Sequence, residues 1–383
     1  MHLRARYHPL TGGFAIAIAC MMTACGPASP PVSQTAQPAQ TRPANVTLSP
    51  AIQAQIDGIM RHSMAAQHVA GASLGIGVAG VPVFARGYGY RDLARRLPAT
   101  PETVYNIASM SKQFVATSIL MLQGEGKLNI DDPIAKYVPG VVHGDEITIR
   151  EVLDHTSGLS DYLDLIDNNT LTPARVHAAL RRLTLQFPPG TRYQYSNSNY
   201  IIAGLVVEKA SGMTYDDFVR SRIIQPLGLH STSLGTSPLD LPNGSVGYTV
   251  VHDRTVPVDP HADSTTILDF PDGAINSTVI DLIAWDDALD GGRVITPALL
   301  KIMFTPSPHE ADWPKGYALG VGLDSINGRV IVAHTGGWTG FTGENATIPA
   351  DRIAVVLLTN TDTFDYEGKN GLIRRILKLL TSN

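Results

Sequence analysis

The chain has 383 residues, 44% of them hydrophobic and 16% charged, with a formal net charge of −5. So apolar a chain with so little charge is not mainly disordered, and its acidic balance argues against a general nucleic-acid binder, which needs a basic face. Its two cysteines are Cys20 and Cys25, so the folded body that follows holds neither a disulfide framework nor a cysteine-based zinc site.

Residues 1–24 read as an export signal. Arg4 and Arg6 give a positive start without an acid, and an apolar stretch at 14–22 follows, too short to span a bilayer. The order Met22-Thr23-Ala24-Cys25-Gly26 resembles a bacterial lipobox, in which Cys25 carries the lipid and begins the mature chain. Two alternatives stay open: cleavage before Cys20, which leaves a very short apolar core, and an ordinary signal peptide with an incidental cysteine. Residues 25–48 are rich in Pro, Ala, Gln and Thr and lack periodicity, as an extended tether does. Together these segments predict an exported protein on the periplasmic side of the cell envelope, attached to the membrane through an N-terminal lipid at Cys25.

Ser49 and Pro50 form a cap and first-turn proline, and Ile52, Ile56, Ile59, Met60 and Met64 recur at helical spacing. Strand-like runs follow at 72–78 and 81–90, with Gly80 at the turn. From 105 to about 300 the chain reads mostly as helices joined by Gly- and Pro-bearing loops. The run 114–122 is apolar enough to be buried on several sides, and further helices are expected near 198–210 and 279–289. Strands return at 330–333, 338–348 and 353–358, the last fully buried. A closing helix puts Leu372, Ile373, Ile376, Leu377 and Leu380 on one face and Arg374, Arg375 and Lys378 on the other. The pattern predicts one α/β (α+β) domain over 49–383. Its sheet is assembled from both chain ends, about 49–104 and 315–383, with an all-helical lobe inserted over about 105–314.

Three short motifs carry chemistry. Ser109-Met110-Ser111-Lys112 puts a hydroxyl and an amine one turn apart on a helix face, at the end where backbone N–H groups are free. A hydroxyl needs an adjacent base to act as a nucleophile, and burial lowers a lysine's pKa enough to make it one. Alone, the tetrapeptide reads equally as a capping serine and a surface lysine. Tyr195-Ser196-Asn197 ends a Pro/Gly loop just before a helix; Tyr195 is placed to shuttle a proton and Asn197 to hold Lys112 and a substrate amide. The plain alternative is a Ser/Asn cap beside a packed tyrosine. His334-Thr335-Gly336-Gly337 ends a β-run, where small residues let a substrate lie along the strand edge and an N–H from Gly337 joins that of Ser109 as an oxyanion hole.

In this order and spacing the three motifs resemble those of the serine β-lactamase-like hydrolases, on the class C side. That group includes class C β-lactamases, D-Ala-D-Ala carboxypeptidases, D-aminopeptidases and related esterases. Leu153-Asp154-His155-Thr156-Ser157-Gly158-Leu159 and Gln225-Pro226-Leu227-Gly228-Leu229 are similar to further motifs of the group, and the likeness runs from about 49 to 380. The resemblance implies an antiparallel sheet flanked by the N- and C-terminal helices, with the transpeptidase-like helical lobe between. It implies Ser109 as acylated nucleophile, Lys112 as its base partner, Tyr195 as general base and acid, and Asn197, His334, Thr335, Gly336 and Gly337 as substrate-binding residues. His155 and Ser157 are expected to shape a loop beside the site. Lysine stands in many members where this chain has His334, which shifts the expectation from β-lactams toward D-amino-acid peptides and small esters. The implied partner is a small molecule or peptide with an amide, ester or β-lactam carbonyl; no cofactor is implied. His252, Asp253, His261 and Asp263 read as a polar loop rather than a metal site. The alternative of another class is a non-catalytic envelope scaffold that keeps the fold.

Overall fold

A computed structural model of the chain describes residues 47–166, 171–259, 270–365 and 371–382. The export signal and the tether, Cys25 included, lie outside the described residues apart from Thr47 and Leu48.

The Ser49 hydroxyl accepts from Ile52 N, and helix α1 (Pro50–Ala66) follows from that cap. Strands β1 (Gly71–Val78), β2 (Val81–Asp92) and β3 (Leu97–Pro98) form one side of a seven-stranded sheet. The other side is made of β8 (Gly322–Ile326), β9 (Arg329–Trp338), β10 (Phe341–Ile348) and β11 (Ile353–Thr359). The strand order is β3-β2-β1-β11-β10-β9-β8, and every pairing is antiparallel. The two chain ends meet where β1 pairs with β11, Leu74 opposite Leu357. The mixed α/β architecture with an antiparallel sheet is thus the one the residues predicted.

Side chains alternate across β11 in the way a strand buried on both faces requires. Val355 and Leu357 join a core with Ile56, Met60 and Met64 of α1 and with Leu372, Ile373, Ile376 and Leu377 of the closing helix α10 (Leu372–Leu380). Ala354, Val356 and Leu358 face the larger core, shared with α2 (Lys112–Gly124), α5 (Asn197–Ser211) and α8 (Val279–Asp290). Helix α2 is enclosed almost all round, and its Phe114 stacks on Trp285 of α8 at 4.0 Å between ring centroids. Helix α8 lies close on β1 because Gly77 has no side chain; a Cβ there would strike Ile283. Shorter helices complete this layer: α3 (Ile149–Leu153), α4 (Pro173–Leu180), α6 (Tyr215–Val219), α7 (Gln225–Leu227) and α9 (Pro297–Met303). Among the described residues, no helix is long and apolar enough to cross a membrane.

Three sequence expectations need correction. The strand expected over 338–348 is a hairpin: Trp338 ends β9, Phe341 opens β10, and the two pair across a two-residue turn with Gly340 at φ +84°. The strand expected over 330–333 therefore runs on through His334-Thr335-Gly336-Gly337 to Trp338, so the motif forms the closing part of β9. The stretch expected to be helical also contains two small antiparallel pairs. One joins β4 (Tyr105–Asn106) to β7 (Asn276–Ser277), and the other joins β5 (Tyr248–Val251) to β6 (Arg254–Pro257). A two-residue strand has no periodicity to read, and its partner lies about 170 residues away.

Asp286 is a buried carboxyl of α8 that accepts from Asn345 Nδ2 at 2.8 Å, and burial holds it well above the usual carboxylate range. A carboxyl raised in the folded state favours folding fully only below its unfolded pKa, and that contribution is lost as the pH rises through the folded value. Asp286→Asn removes this loss. It is expected to raise the melting temperature at pH 8 and to leave it nearly unchanged at pH 4; a lower melting temperature at pH 8 would contradict the assignment.

Candidate active site

The nucleophile candidate sits on a strained turn. Ala108 adopts φ +46°, a left-handed conformation unusual for a residue with a Cβ. Its N–H donates to Asn106 Oδ1 at 2.9 Å, and Asn106 Nδ2 in turn donates to Gly273 O at 3.1 Å. A 3₁₀ turn over Ala108–Ser111 then feeds into α2. Ala108, Met110 and Ser111 are buried, and only Ser109 is partly open to the cleft.

Lys112, the first residue of α2, is fully buried. Its Nζ lies 3.0 Å from Ser109 Oγ, 2.9 Å from Asn197 Oδ1 and 3.0 Å from the Asp272 carbonyl oxygen. The last two groups can only accept, so they take two N–H bonds. Toward Ser109 the nitrogen then presents either its third proton or, once neutral, its lone pair. Burial brings this amine down to about 8, against the pull of Asp272 and Asp161 in the other direction.

Tyr195 is hydrogen-bonded to Ser109, and burial pushes its phenol far above 10. Lys112 Nζ stands 5.1 Å from the Tyr195 ring centroid. Asn197 is the first residue of α5; its N and Nδ2 donate to Asp161 Oδ2 at 2.8 and 3.0 Å. That pair fixes the amide so that Oδ1 faces Lys112. His155 lies against Tyr195, the rings 4.2 Å apart, and its Nδ1 accepts from Ser196 N and Asn199 Nδ2. The His155 loop thus braces the tyrosine from behind, and burial keeps its imidazole neutral.

His334 is buried, and both ring nitrogens face protein groups. Nδ1 donates to Thr335 O, and Nε2 accepts from Tyr317 Oη at 2.9 Å. Burial and Lys112 push its pKa down to about 3, so the position at which many members of the group carry lysine is uncharged here at neutral pH. Gly336 does not form an open wall: a Cβ there would strike the Ile107 carbonyl oxygen, because the nucleophile turn lies directly on β9. Thr335 and Gly337 line a cleft of about 900 Å³ with Ser109, Tyr193, Tyr195 and Trp313. Beside it, a pocket of about 230 Å³ holds Ser109, Asn197 and Asp272.

Seven of the eight residues singled out in the three motifs therefore surround one point, and Gly336 supports it from beneath. Asp161, Asp272 and Tyr317 carried no motif of their own; the clue for Asp161 was that an Asn aimed at a lysine needs a partner for its NH₂ group. Among the described residues, no cluster of His, Cys, Asp or Glu is arranged to hold a metal ion. His261 and Asp263 lie outside the described residues.

The family model described as Beta-lactamase matches residues 56–378. The chain is 28% identical over 310 residues to Penicillin-binding protein 4* of Bacillus subtilis (strain 168), covering 76% of this chain and 68% of that protein. It is 27% identical over 319 residues to Protein flp of Staphylococcus aureus (strain COL), covering 81% of this chain and 64% of that protein. Among solved structures, the octameric penicillin-binding protein homologue from Pyrococcus abyssi superposes with a TM-score of 0.75 at 28% identity, over 86% of this chain and 78% of that one. The D-amino acid amidase from Ochrobactrum anthropi SV3 complexed with L-phenylalanine amide gives 0.74 at 26% identity, over 87% and 99%.

The glycine pair of β9 gives a contrast to measure. Gly336→Ala is expected to cost about 1–3 kcal/mol in denaturant unfolding, the usual range for an overpacked interior. Gly337→Ala, with nothing within 4 Å of the added carbon, is expected to leave stability unchanged. Equal costs would refute the close seating of the turn on β9.

Proposed function

The chain belongs to the beta-lactamase family of serine hydrolases, and from this membership we propose that it is an acyl-serine hydrolase with Ser109 as nucleophile, Lys112 as base and Tyr195 as proton relay. The observation that carries this reading is the Lys112 amine 3.0 Å from Ser109 Oγ, its other two donor directions taken by Asn197 Oδ1 and the Asp272 carbonyl. A neutral amine held this way points its lone pair at the serine hydroxyl.

In the first step the Ser109 oxygen attacks the substrate carbonyl carbon while its proton passes to Lys112. The N–H groups of Ser109 and Gly337 hold the developing oxyanion. Lys112 is the acceptor, since the raised phenol resists ionisation and stays protonated at the pH at which the amine is neutral. As the carbonyl reforms, Tyr195 passes its proton to the leaving group and takes one back from the Lys112 ammonium, which returns to the neutral amine as the acyl-enzyme results. Water then attacks the ester, its proton taken up by the same pair, and Ser109 is released with its own proton restored.

The proposed substrates are amides of D-amino-acid peptides, or small esters. Support comes from the uncharged His334, which offers no cation to a substrate carboxylate, and from the likeness to the D-amino acid amidase from Ochrobactrum anthropi SV3. β-Lactam hydrolysis is the second reading, favoured by the family model. Turnover of D-amino-acid amides, p-nitrophenyl esters, D-Ala-D-Ala peptides and a chromogenic cephalosporin, compared side by side, separates the two.

A fluorophosphonate is expected to label Ser109 covalently and to leave Ser109→Ala unlabelled. The labelling rate is expected to rise with pH through about 8, because Lys112 must lose its proton, and to fall about tenfold for each unit below that. Equal labelling of the Ser109→Ala variant would sink the proposal and favour a scaffold that only keeps the fold.

We also propose that the chain is exported and lipid-anchored at Cys25, on the strength of Met22-Thr23-Ala24-Cys25-Gly26. Cys25→Ser is expected to move the protein from the membrane to the soluble fraction; unchanged membrane association would reject the anchor.

A further inference from the structure

One buried titratable group beside Ser109 has no task in the chemistry above. Asp272 is almost wholly buried and lines the small pocket with Ser109 and Asn197. Its main-chain oxygen accepts from Lys112 Nζ, so its side chain is carried within the lysine's immediate surroundings. The segment cannot drift. Gly273 O is held by Asn106 Nδ2, and Ile275 N donates to Ser111 Oγ at 3.2 Å, within the turn that bears Ser109. The carboxylate has few hydrogen-bond donors: Tyr162 Oη, 3.2 Å from Oδ2, and its own backbone N–H.

Of the groups around Lys112, Asp272 pulls on its charge most, ahead of Asp161. His155 and His334 are buried and neutral, and the phenols of Tyr195 and Tyr200 are pushed up by burial. Asp161 is a carboxylate too, but three N–H donors, from Leu163 and from the backbone and side chain of Asn197, share its charge. A carboxylate with so few donors in a dry setting acts on a neighbouring cation at nearly full strength.

We propose that Asp272 is a positioning residue that sets the pH at which Lys112 becomes a base, by holding a buried negative charge beside the amine. This rests on the acyl-serine reading above and adds to it the group that tunes the base. The sign follows from electrostatics: a nearby carboxylate favours the ammonium, so it keeps Lys112 protonated to higher pH. The carboxyl, raised to about 6 by burial, is ionised across the range in which Lys112 titrates. The charge thus opposes burial, which by itself would drive the lysine lower still.

The test compares Asp272→Asn, Asp272→Glu and the unmutated full chain, following fluorophosphonate labelling of Ser109 against pH. In Asp272→Asn the acid limb is expected to move down by about one pH unit, the size of shift one nearby opposite charge produces. Asp272→Glu, which keeps the charge, is expected to leave the limb near its original place. A limb that stays put or moves up in Asp272→Asn overturns the inference, as does an equal downward shift in both variants; a merely structural loss would lower the rate at every pH without moving the limb. The ¹³Cε resonance of Lys112 in lysine-labelled protein reads the same titration without any acyl transfer. A downward shift there in Asp272→Asn supports the inference even if Ser109 fails to label, and an unshifted resonance rejects it even if Ser109 labels.

Discussion

A buried amine governs this structure. Lys112 is sealed from solvent, and an ammonium taken out of water without partners is among the costliest things a fold can hold. The protein meets that cost with three oxygens from three places: the turn before α2, the start of α5 and the segment before β7. None of these positions is free to shift alone. The β4–β7 pair ties the turn to the Asp272 segment, and Asp161 ties Asn197 to the loop that follows His155. Satisfying one nitrogen therefore locates most of the cleft.

The surroundings are as consistent as the contacts. Two imidazoles and several phenols pack around Tyr195, all held neutral by burial. In such a setting the remaining charges act with little screening. The state of Lys112 thus reflects a contest between desolvation and two carboxylates, rather than contact with water. His334 belongs to this neutral shell. Its nitrogens are taken by Tyr317 and Thr335, so it supports the β9 edge instead of presenting a cation to it.

Much of the fold was legible from periodicity. The faces of α1 and α10 and the double burial of β11 followed from their spacing, because each of these elements is long enough to show a period. The short elements were not. The end of β9 was misplaced because Trp338 and Phe341 are both apolar, and only the left-handed Gly340 between them marks the turn. β4 and β7 are two residues each and exist only as a pair. Of the site, Ser109, Lys112, Tyr195 and Asn197 stood out because their types and spacings are suited to nucleophilic chemistry. Asp161 and Asp272 did not, since an isolated aspartate in a loop looks the same whether it faces solvent or a buried lysine.

By itself the sequence determined the class of fold, the family, the order of its elements and the residue types available for catalysis, because these depend on local pattern and on composition. The tertiary structure decided which acceptors surround Lys112, that His334 is neutral, and that Asp272 is buried beside the amine. Those outcomes depend on solvent exclusion and on approach between segments as much as 160 residues apart, from Lys112 to Asp272. No local stretch of sequence records the dielectric into which it will be folded.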